Sequence, residues 1–165
     1  MQKRTWWKLF FAIYILVVIK VIIFKYPCEK LLMIAAAWRR DVIFEGLGTA
    51  NFEPFKTIKM YIDYSYKLNS VENLAGNLLV FVPFGFLFPY VAKEGERFFV
   101  MLLNAFVFVL GIEMFQLFSA FGAFDVDDIL LNCVGACLGF GSYRLIQHWR
   151  RKRKGLSDGK FTEKD

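Results

Sequence analysis

Residues 111–139 read GIEMFQLFSAFGAFDVDDILLNCVGACLG, and this stretch decides the fold. Two apolar runs flank a short acidic turn. The first run carries Glu113 and Gln116 three positions apart, and the turn holds three acids in four positions: Asp125, Asp127 and Asp128. Carboxylates within apolar segments of spanning length are costly to bury, so they usually face the interior of a helix bundle and mark a site. The stretch therefore predicts two membrane-spanning helices that carry polar groups inward.

Four residues of the second run share one face of the predicted helix. Asp128, Asn132, Gly135 and Gly139 recur at spacings of four, three and four, which a helix places in one row. Gly135 and Gly139 form a G-x-x-x-G pattern, which lets another backbone approach closely. That pattern serves packing within one chain as well as packing between copies, so a homo-oligomer stays an open alternative.

The composition indicates an integral membrane protein. Hydrophobic residues make up 57% and aromatic residues 19% of the 165 residues, whereas globular domains average about 45–50% apolar residues. A soluble core of this size has no room for so much apolar surface. The length is that of one domain, which we assign to residues 1–154, followed by a flexible tail at 155–165.

Four apolar stretches reach the length of about 20 residues that a helix needs to cross a bilayer. They are approximately 6–24, 71–92, 98–121 and 129–149. The predicted fold class is therefore all-α, with four transmembrane helices and a structured outer loop at 25–70. Within that loop, 31–38 is too short to span and fits an interfacial helix. The piece 51–57 is an ordered loop, because Pro54 favours extended geometry before it.

The second span carries polar and helix-breaking residues. Asn77 lies in its first half. Pro83 has no N–H to donate to the Leu79 carbonyl, which predicts a kink. Gly76 and Gly85 fit close packing between helices.

The net charge of +6 is concentrated after the last span, at 150–154. The N-terminus is also basic, and the short turn 93–97 carries Lys93 and Arg97 beside two glutamates. The positive-inside rule, which counts Lys and Arg, places all three segments in the cytoplasm. The 25–70 loop and the turn 122–128 then face outward. A basic tail beside a span sets topology and meets anionic lipid, so the expected partners are membrane lipids and not nucleic acid.

This topology brings three polar pairs to one depth beneath the outer loop. The pairs are Asn73 with Asn77, Glu113 with Gln116, and Asp128 with Asn132. The first pair begins an inward-running helix, the second ends an outward-running helix, and the third begins the last helix. At about 1.5 Å of rise per residue, the last two residues lie within roughly 6 Å of axial height. The sequence therefore predicts one polar cluster.

The acids of this cluster have alternative roles. They fit a network that joins helices, and Asp125 and Asp128 also fit caps of the last helix. Asp127 is offset from the inward face and is the acid least expected to point inward. Oxygen ligands from Glu113, Asp125 and Asp128 would suit a weak divalent site, although we assign neither a metal nor a cofactor. The candidate basic partners of Glu113 are Lys25, Arg39, Arg40 and Lys56.

The sequence carries no recognisable nucleophile–base pair. Three cysteines form no disulfide framework, and Cys133 and Cys137 fit packing within an apolar helix. The only histidine, His148, lies in the basic tail. Catalytic motifs such as a phosphate-cradling glycine loop are also missing, so an enzyme is the less favoured interpretation.

Several motifs, taken in order over about residues 50–140, resemble the VanZ-like family of small bacterial membrane proteins. They are Asn51-Phe52-x-Pro54-Phe55, Gly76-Asn77, Phe81-Val82-Pro83-Phe84-Gly85, Glu113-x-x-Gln116, Asp125-x-x-Asp128, Asn132 and Gly135-x-x-x-Gly139. The resemblance implies a multi-pass, all-helical protein of the bacterial cytoplasmic membrane. Named members of that family are associated with resistance to the lipidated glycopeptide teicoplanin, with little effect on vancomycin.

The resemblance also implies a ligand class, an amphiphile at the outer leaflet. A teicoplanin-type lipoglycopeptide or an envelope lipid precursor would place its polar head among Asn77, Glu113, Gln116, Asp125, Asp128 and Asn132, with Phe55 and Lys56 as a roof. Its acyl chain would lie against Phe81, Phe84 and Phe115. Two alternatives stay open. One is a metal-assisted enzyme acting on a lipid headgroup, and the other is a proton-coupled lipid or antibiotic transporter in which Glu113 titrates.

Overall fold

The described part of the chain folds mainly into α-helices. The computed structural model describes residues 2–22, 27–39, 41–64 and 70–159. Within these ranges the helices are α1 (Gln2–Ile22), α2 (Cys28–Ala36), α3 (Val42–Thr49), α4 (Lys56–Asp63), α5 (Ser70–Val80), α6 (Val82–Val91), α7 (Phe98–Ser119) and α8 (Val126–Gly159). The predicted all-α class is confirmed.

Four helical segments are long and apolar enough to cross a membrane. They are Arg4–Ile22, Glu72–Val91, Phe98–Ser119 and Val126–Arg153, and α5 and α6 together form the second of them. All four predicted spans are found, although positions 23 and 24 lie outside the described residues. α8 begins at Val126 rather than at 129 and continues to Gly159, so its helix enters the segment predicted as a flexible tail.

The second span is interrupted at Phe81, as its proline predicts. α5 ends at Val80, and Pro83 lies in the first turn of α6, where a missing N–H breaks no helical hydrogen bond. The Tyr14 hydroxyl of α1 donates to the Val80 carbonyl oxygen at 2.8 Å. The break therefore provides a polar anchor for α1, which packs along α6.

α8 packs against the second span at backbone distance. A Cβ built on Gly135 would lie 2.0 Å from a carbonyl oxygen of α5, and one on Gly139 would lie 1.9 Å from a carbonyl oxygen of α6. A Cβ on Gly85 of α6 would lie 1.8 Å from a carbonyl oxygen of α8. These three residues are the predicted packing glycines, and the G-x-x-x-G pattern is used within the chain. Gly76 differs, because a Cβ there meets nothing within 4 Å.

Phenylalanine rings fill the core between α1, α6 and α7. Phe81 is 0% and Phe84 is 3% exposed, and their ring centroids lie 5.6 Å apart. Phe108 of α7 and Phe11 of α1 both pack on Phe84, with ring centroids 6.0 and 5.4 Å from its own. The expectation that Phe81 and Phe84 hold an acyl chain is therefore wrong, because core side chains already surround both rings.

The connection between the first two spans covers one end of the bundle. Trp38 follows α2 and donates its indole N–H to the Phe118 carbonyl oxygen at 2.9 Å. Asn51 forms an isolated parallel bridge with Asp125. The Asn51 N–H donates to the Phe124 carbonyl oxygen at 2.8 Å, and the Asn51 carbonyl oxygen accepts the Val126 N–H at 3.0 Å. The segment before α4 is thereby fastened to the start of α8. α2 corresponds to the short helix predicted at 31–38, and its interfacial position stays a prediction.

Candidate functional site

A polar cleft of about 290 Å³ opens at the end of the bundle that the connection covers. It lies between α1, α4, α5, α7 and α8. Its lining combines eight polar side chains, three aliphatic ones and a glycine: Thr57, Tyr61, Glu72, Asn73, Asn77, Gln116, Asp125, Asp128, Val21, Ile22, Val80 and Gly76. The second, third and fourth spans each contribute a member of a predicted polar pair. Gly76, expected to pack between helices, instead lines the cleft and is exposed there.

The fourth span enters the cleft through Asp128. Its carboxylate accepts a short hydrogen bond from the Asn77 side-chain amide of α5, which joins two spans. Its backbone carbonyl accepts one from Asn132 Nδ2 at 2.7 Å. Asn132 is 3% exposed, and in the described structure its Oδ1 has no hydrogen-bond partner. Asn132 therefore supports the first turn of α8 from behind and does not line the cleft.

The third span contributes two buried polar side chains with different roles. Glu113 is 1% exposed, and its Oε2 accepts the Asp125 backbone N–H at 2.9 Å. Gln116 donates from Nε2 to the Ile22 carbonyl oxygen of α1 at 3.3 Å. Buried carboxylates require such donors to offset lost hydration. Glu113 therefore supports the acidic turn from below, whereas Gln116 forms part of the cleft wall.

Two of the predicted basic partners of Glu113 pair with other acids. Lys56 Nζ lies 3.4 Å from Glu53 Oε2, and Arg39 Nε lies 3.6 Å from Asp41 Oδ1, all on exposed side chains. For these two residues the predicted pairing with Glu113 is wrong. The other two candidates lie outside the described residues: Lys25 and Arg40.

Asp125 joins the connection between the first two spans to the start of α8. One carboxylate oxygen accepts from Asn51 Nδ2 at 2.8 Å and from the Asp127 backbone N–H at 2.8 Å. The other accepts from the Thr57 hydroxyl at 2.6 Å. The bond to its own helix is the predicted cap, since an acid at a helix N-terminus satisfies an orphan N–H. The bond from Thr57 holds α4 over the cleft, and the bond from Asn51 holds the segment before α4.

Asp127 caps α4 from a distant part of the chain. Its carboxylate accepts the backbone N–H groups of Phe55, Thr57 and Ile58 at 2.5, 2.8 and 3.1 Å. Its side chain is 0% exposed, so the expectation that it is the acid least directed inward is wrong. The sequence gives one sign of this role. Phe55, the residue before α4, has no polar side chain to cap the helix, so the first N–H groups of α4 need an acceptor from elsewhere.

Phe55 and Lys56 do not line the cleft, contrary to prediction. Phe55 holds a left-handed backbone with φ 67° and its ring is 65% exposed, while Lys56 points towards Glu53. The roof is made instead by Thr57 and Tyr61, which lie four apart on one face of α4. The sequence suggests a headgroup-level or ligand-stacking position for Tyr61 but gives no sign of Thr57. It places neither residue in the roof, because the start of α4, and hence its inward face, depends on the cap from Asp127.

The Tyr61 phenol lies beside the acids of the cleft and near the Asn73 side chain, which lines the same cleft. Burial raises the pKa of Tyr61, and the negative charges of Asp128 and Asp125 raise it further. Both effects disfavour the phenolate. At neutral pH, Tyr61 therefore presents a protonated hydroxyl to the cleft.

The carboxylates of the cleft are arranged as hydrogen-bond acceptors. Among the described residues, no three Asp, Glu, His or Cys side chains have the arrangement of a metal site. Asp125 accepts three hydrogen bonds, and Glu113 is directed at a backbone N–H. The weak divalent site predicted at Glu113, Asp125 and Asp128 is therefore not supported by this geometry.

Comparison with known proteins places the chain in a family. The VanZ/LLP1 family model matches residues 11–147. Protein VanZ of Enterococcus faecium is 32% identical to this chain over 87 residues, which are 50% of this chain and 51% of that protein. The chain thus spans about half the length of that relative. No solved structure matches this chain. Because the family model covers most of the chain, including every residue that lines the cleft, this chain belongs to the VanZ/LLP1 family.

Proposed function

We propose that this protein binds the polar head of a lipid-bearing molecule in the cleft and thereby shields the cell against a lipidated glycopeptide of the teicoplanin class. An envelope lipid is the second ligand of the same chemical type. The observation that carries the proposal is the polar cleft at one end of four spans. Membership of the VanZ/LLP1 family supports the link to teicoplanin resistance.

The cleft suits a head rich in hydroxyl and amide groups. Tyr61, Asn73, Asn77 and Gln116 bring donors, and the carboxylates bring acceptors. Such a mixture matches sugar or peptide units, whose hydroxyl and amide groups donate and accept. A volume of about 290 Å³ lies at the lower limit of about 300–1,000 Å³ for small-molecule sites. The cleft therefore fits one unit of a larger amphiphile.

An apolar groove beside the cleft suits an acyl chain. It has a volume of about 500 Å³ between α1 and α7 and is lined by Ile19, Asn104, Val107, Phe108, Gly111, Ile112 and Phe115. Phe115 lines the groove and the next residue, Gln116, lines the cleft, so the two sites adjoin. We therefore assign the acyl chain to this groove. Of the three aromatic residues that the resemblance suggested for the acyl chain, Phe81, Phe84 and Phe115, only Phe115 lines this groove.

We further propose that the cleft faces outward and both termini face the cytoplasm. The opposite end carries Lys93 and Arg97 in the turn 93–97 and the basic end of α8, whereas the short turn 120–125 at the cleft end has no Lys or Arg. These short segments follow the positive-inside rule; the connection 25–70 holds seven Lys and Arg, but long segments weigh less in that rule than short ones.

Cys28 allows a direct test of this orientation. It is exposed in α2 at the cleft end, while Cys133 and Cys137 are half-buried in the fourth span. A membrane-impermeant maleimide should label wild-type protein in intact cells, and Cys28→Ser should abolish the labelling. Labelling that requires cell lysis would reverse the proposed orientation.

The cleft is tested by a double variant, Glu72→Gln with Asp128→Asn, which removes two charges and preserves side-chain shape. We expect cells to lose most of the teicoplanin tolerance that the wild-type protein confers, because the head loses two charged acceptors worth about 1.5–3 kcal/mol each. The inhibitory concentration of teicoplanin measures this effect, with vancomycin as a comparison that should change little. Asp63→Asn, an exposed acid of α4 outside the cleft, is the matched control.

Two further measurements make the outcome decisive. Full tolerance in the double variant, made at the wild-type level, would show that the cleft is not the functional site. Mass spectrometry of molecules that co-purify with wild type and double variant separates the two ligand types. A lipid retained only by wild type favours the envelope lipid, and teicoplanin binding in detergent favours the antibiotic.

A further inference from the structure

The end of the bundle opposite the cleft carries a second polar pocket that the proposed function does not use. α8 comprises 34 residues, or about 51 Å at 1.5 Å per residue, whereas the hydrocarbon core of a bilayer is about 30 Å thick. Its C-terminal part therefore extends past the other spans. The pocket lies where this extension begins.

The pocket is built between α8 and the turn that joins α6 to α7. It has a volume of about 140 Å³ and is lined by Glu96, Tyr143, Arg144, Gln147, His148 and Arg151. Arg144, His148 and Arg151 follow one another at spacings of four and three, on one face of the helix. The Tyr143 hydroxyl donates to Glu96 Oε1 at 2.9 Å, which holds the turn against α8 and fixes the shape of the pocket.

The lining favours an anion with several oxygens. Two guanidinium groups converge on the pocket, together with an imidazole and an amide. A guanidinium binds phosphate through two parallel hydrogen bonds, more specifically than an ammonium does. The one acid, Glu96, already accepts the Tyr143 hydroxyl. Exposed basic residues continue beyond the pocket on the same helix: Arg150, Lys152 and Arg153.

Aromatic side chains place this pocket at the level of lipid headgroups. Trp7 and Tyr90 stack with ring centroids 4.4 Å apart, and Tyr90 meets Tyr143 edge-on at 5.1 Å. Trp149 is 55% exposed on the neighbouring turn of α8. Tryptophan and tyrosine are enriched at the interface of a membrane. Tyr143 belongs both to this aromatic cluster and to the pocket, so an anion there would lie at headgroup depth.

We propose that Arg144 and Arg151 bind the phosphate group of an anionic phospholipid in this pocket, which makes it a specific lipid site separate from the cleft. The ligand is a phosphodiester that carries acyl chains. The chains would run along the apolar surface of the spans, while the phosphate lies between α8 and the turn 93–97.

A pair of double variants with equal charge loss tests this site. Arg144→Gln with Arg151→Gln removes the two guanidinium groups of the pocket, and Arg150→Gln with Arg153→Gln removes two from the same helix outside it. Each protein is purified in a neutral detergent and titrated with phosphatidylglycerol, with bound lipid counted by native mass spectrometry. We expect binding to the pocket variant to weaken about tenfold or more, because charge-assisted bonds are lost. The control variant should weaken by no more than about twofold.

Equal weakening in both double variants would overturn the site in favour of diffuse attraction to the basic end. Titration with glycerol phosphate and inorganic phosphate distinguishes the sources of the phosphate group. Binding of either one as tightly as the lipid would overturn the assignment to phospholipid. Glu96→Gln keeps an acceptor for Tyr143 and removes the one acid among the residues that line the pocket. The variant protein should therefore bind the lipid more tightly. Unchanged or weaker binding there would contradict the proposal even if the pocket variant failed to fold.

Discussion

Gly139→Ala is expected to destabilise the bundle by at least about 3 kcal/mol. The added Cβ would lie 1.9 Å from the Val82 carbonyl oxygen, 2.8 Å from its carbon and 2.9 Å from the Phe86 nitrogen. Overpacked cores cost typically about 1–3 kcal/mol when side chains can rearrange. Here all three neighbours are backbone atoms, which cannot rotate away, so α6 and α8 must separate along their length.

The matched control is Gly141→Ala, two residues further along the same helix. A Cβ there meets nothing within 4 Å, and alanine is the better helix former by about 1 kcal/mol, so stability should stay constant or rise. Thermal melting of the purified proteins in detergent, followed by size-exclusion chromatography, measures both variants. Equal melting temperatures for the two would show that α6 and α8 do not meet at backbone distance.

The same close contact determines the geometry of the cleft. A Cβ built on Gly135, one turn before Gly139, would lie 2.0 Å from a backbone oxygen of α5. This proximity lets the short side chains of Asn77 and Asp128 hydrogen-bond directly between the two helices. Alanine at Gly135 or Gly139 should therefore also disrupt the cleft, although neither glycine lines it.

The sequence predicted the features that depend on local pattern. The spans follow from runs of apolar residues of spanning length, and the interruption at Phe81 follows from Pro83 two residues later. The common depth of Asn77, Gln116 and Asp128 follows from the alternating directions of the helices. These features need no knowledge of which side chain meets which.

The features that the sequence did not reveal depend on contacts between distant segments. Asp127 meets the N-terminus of α4 across 70 positions of the chain, and no spacing rule relates these two segments. The inward face of α4 follows from that contact. This is why the sequence did not place Thr57 and Tyr61 in the roof and assigned Phe55 and Lys56 to it instead. Periodicity gives the faces of a helix, but the contact decides which face points inward.

Asp127→Ala is expected to release α4 from the cleft. Three backbone N–H donors, those of Phe55, Thr57 and Ile58, would lose their acceptor. Hydrogen bonds to a charged group are worth about 1.5–3 kcal/mol, and the N-terminus of α4 has no capping side chain of its own to replace them. We therefore expect local opening of α4 to become easier by about 3 kcal/mol or more, while the four spans stay folded.

Amide hydrogen exchange measures this opening residue by residue. In Asp127→Ala, the amides of α4 should exchange about a hundredfold faster or more, since 1.4 kcal/mol corresponds to tenfold in the opening equilibrium, whereas those of α7 should keep wild-type protection. Asp127→Asn retains one carboxamide oxygen as an acceptor but brings an amide donor towards the N–H groups, so its exchange should lie between the two. Asp63→Asn, at the exposed far end of the same helix, should leave exchange unchanged. Wild-type protection of α4 in Asp127→Ala would mean that Asp127 does not hold the roof, and that Thr57 and Tyr61 owe their positions to Asp125 and Asn73 instead.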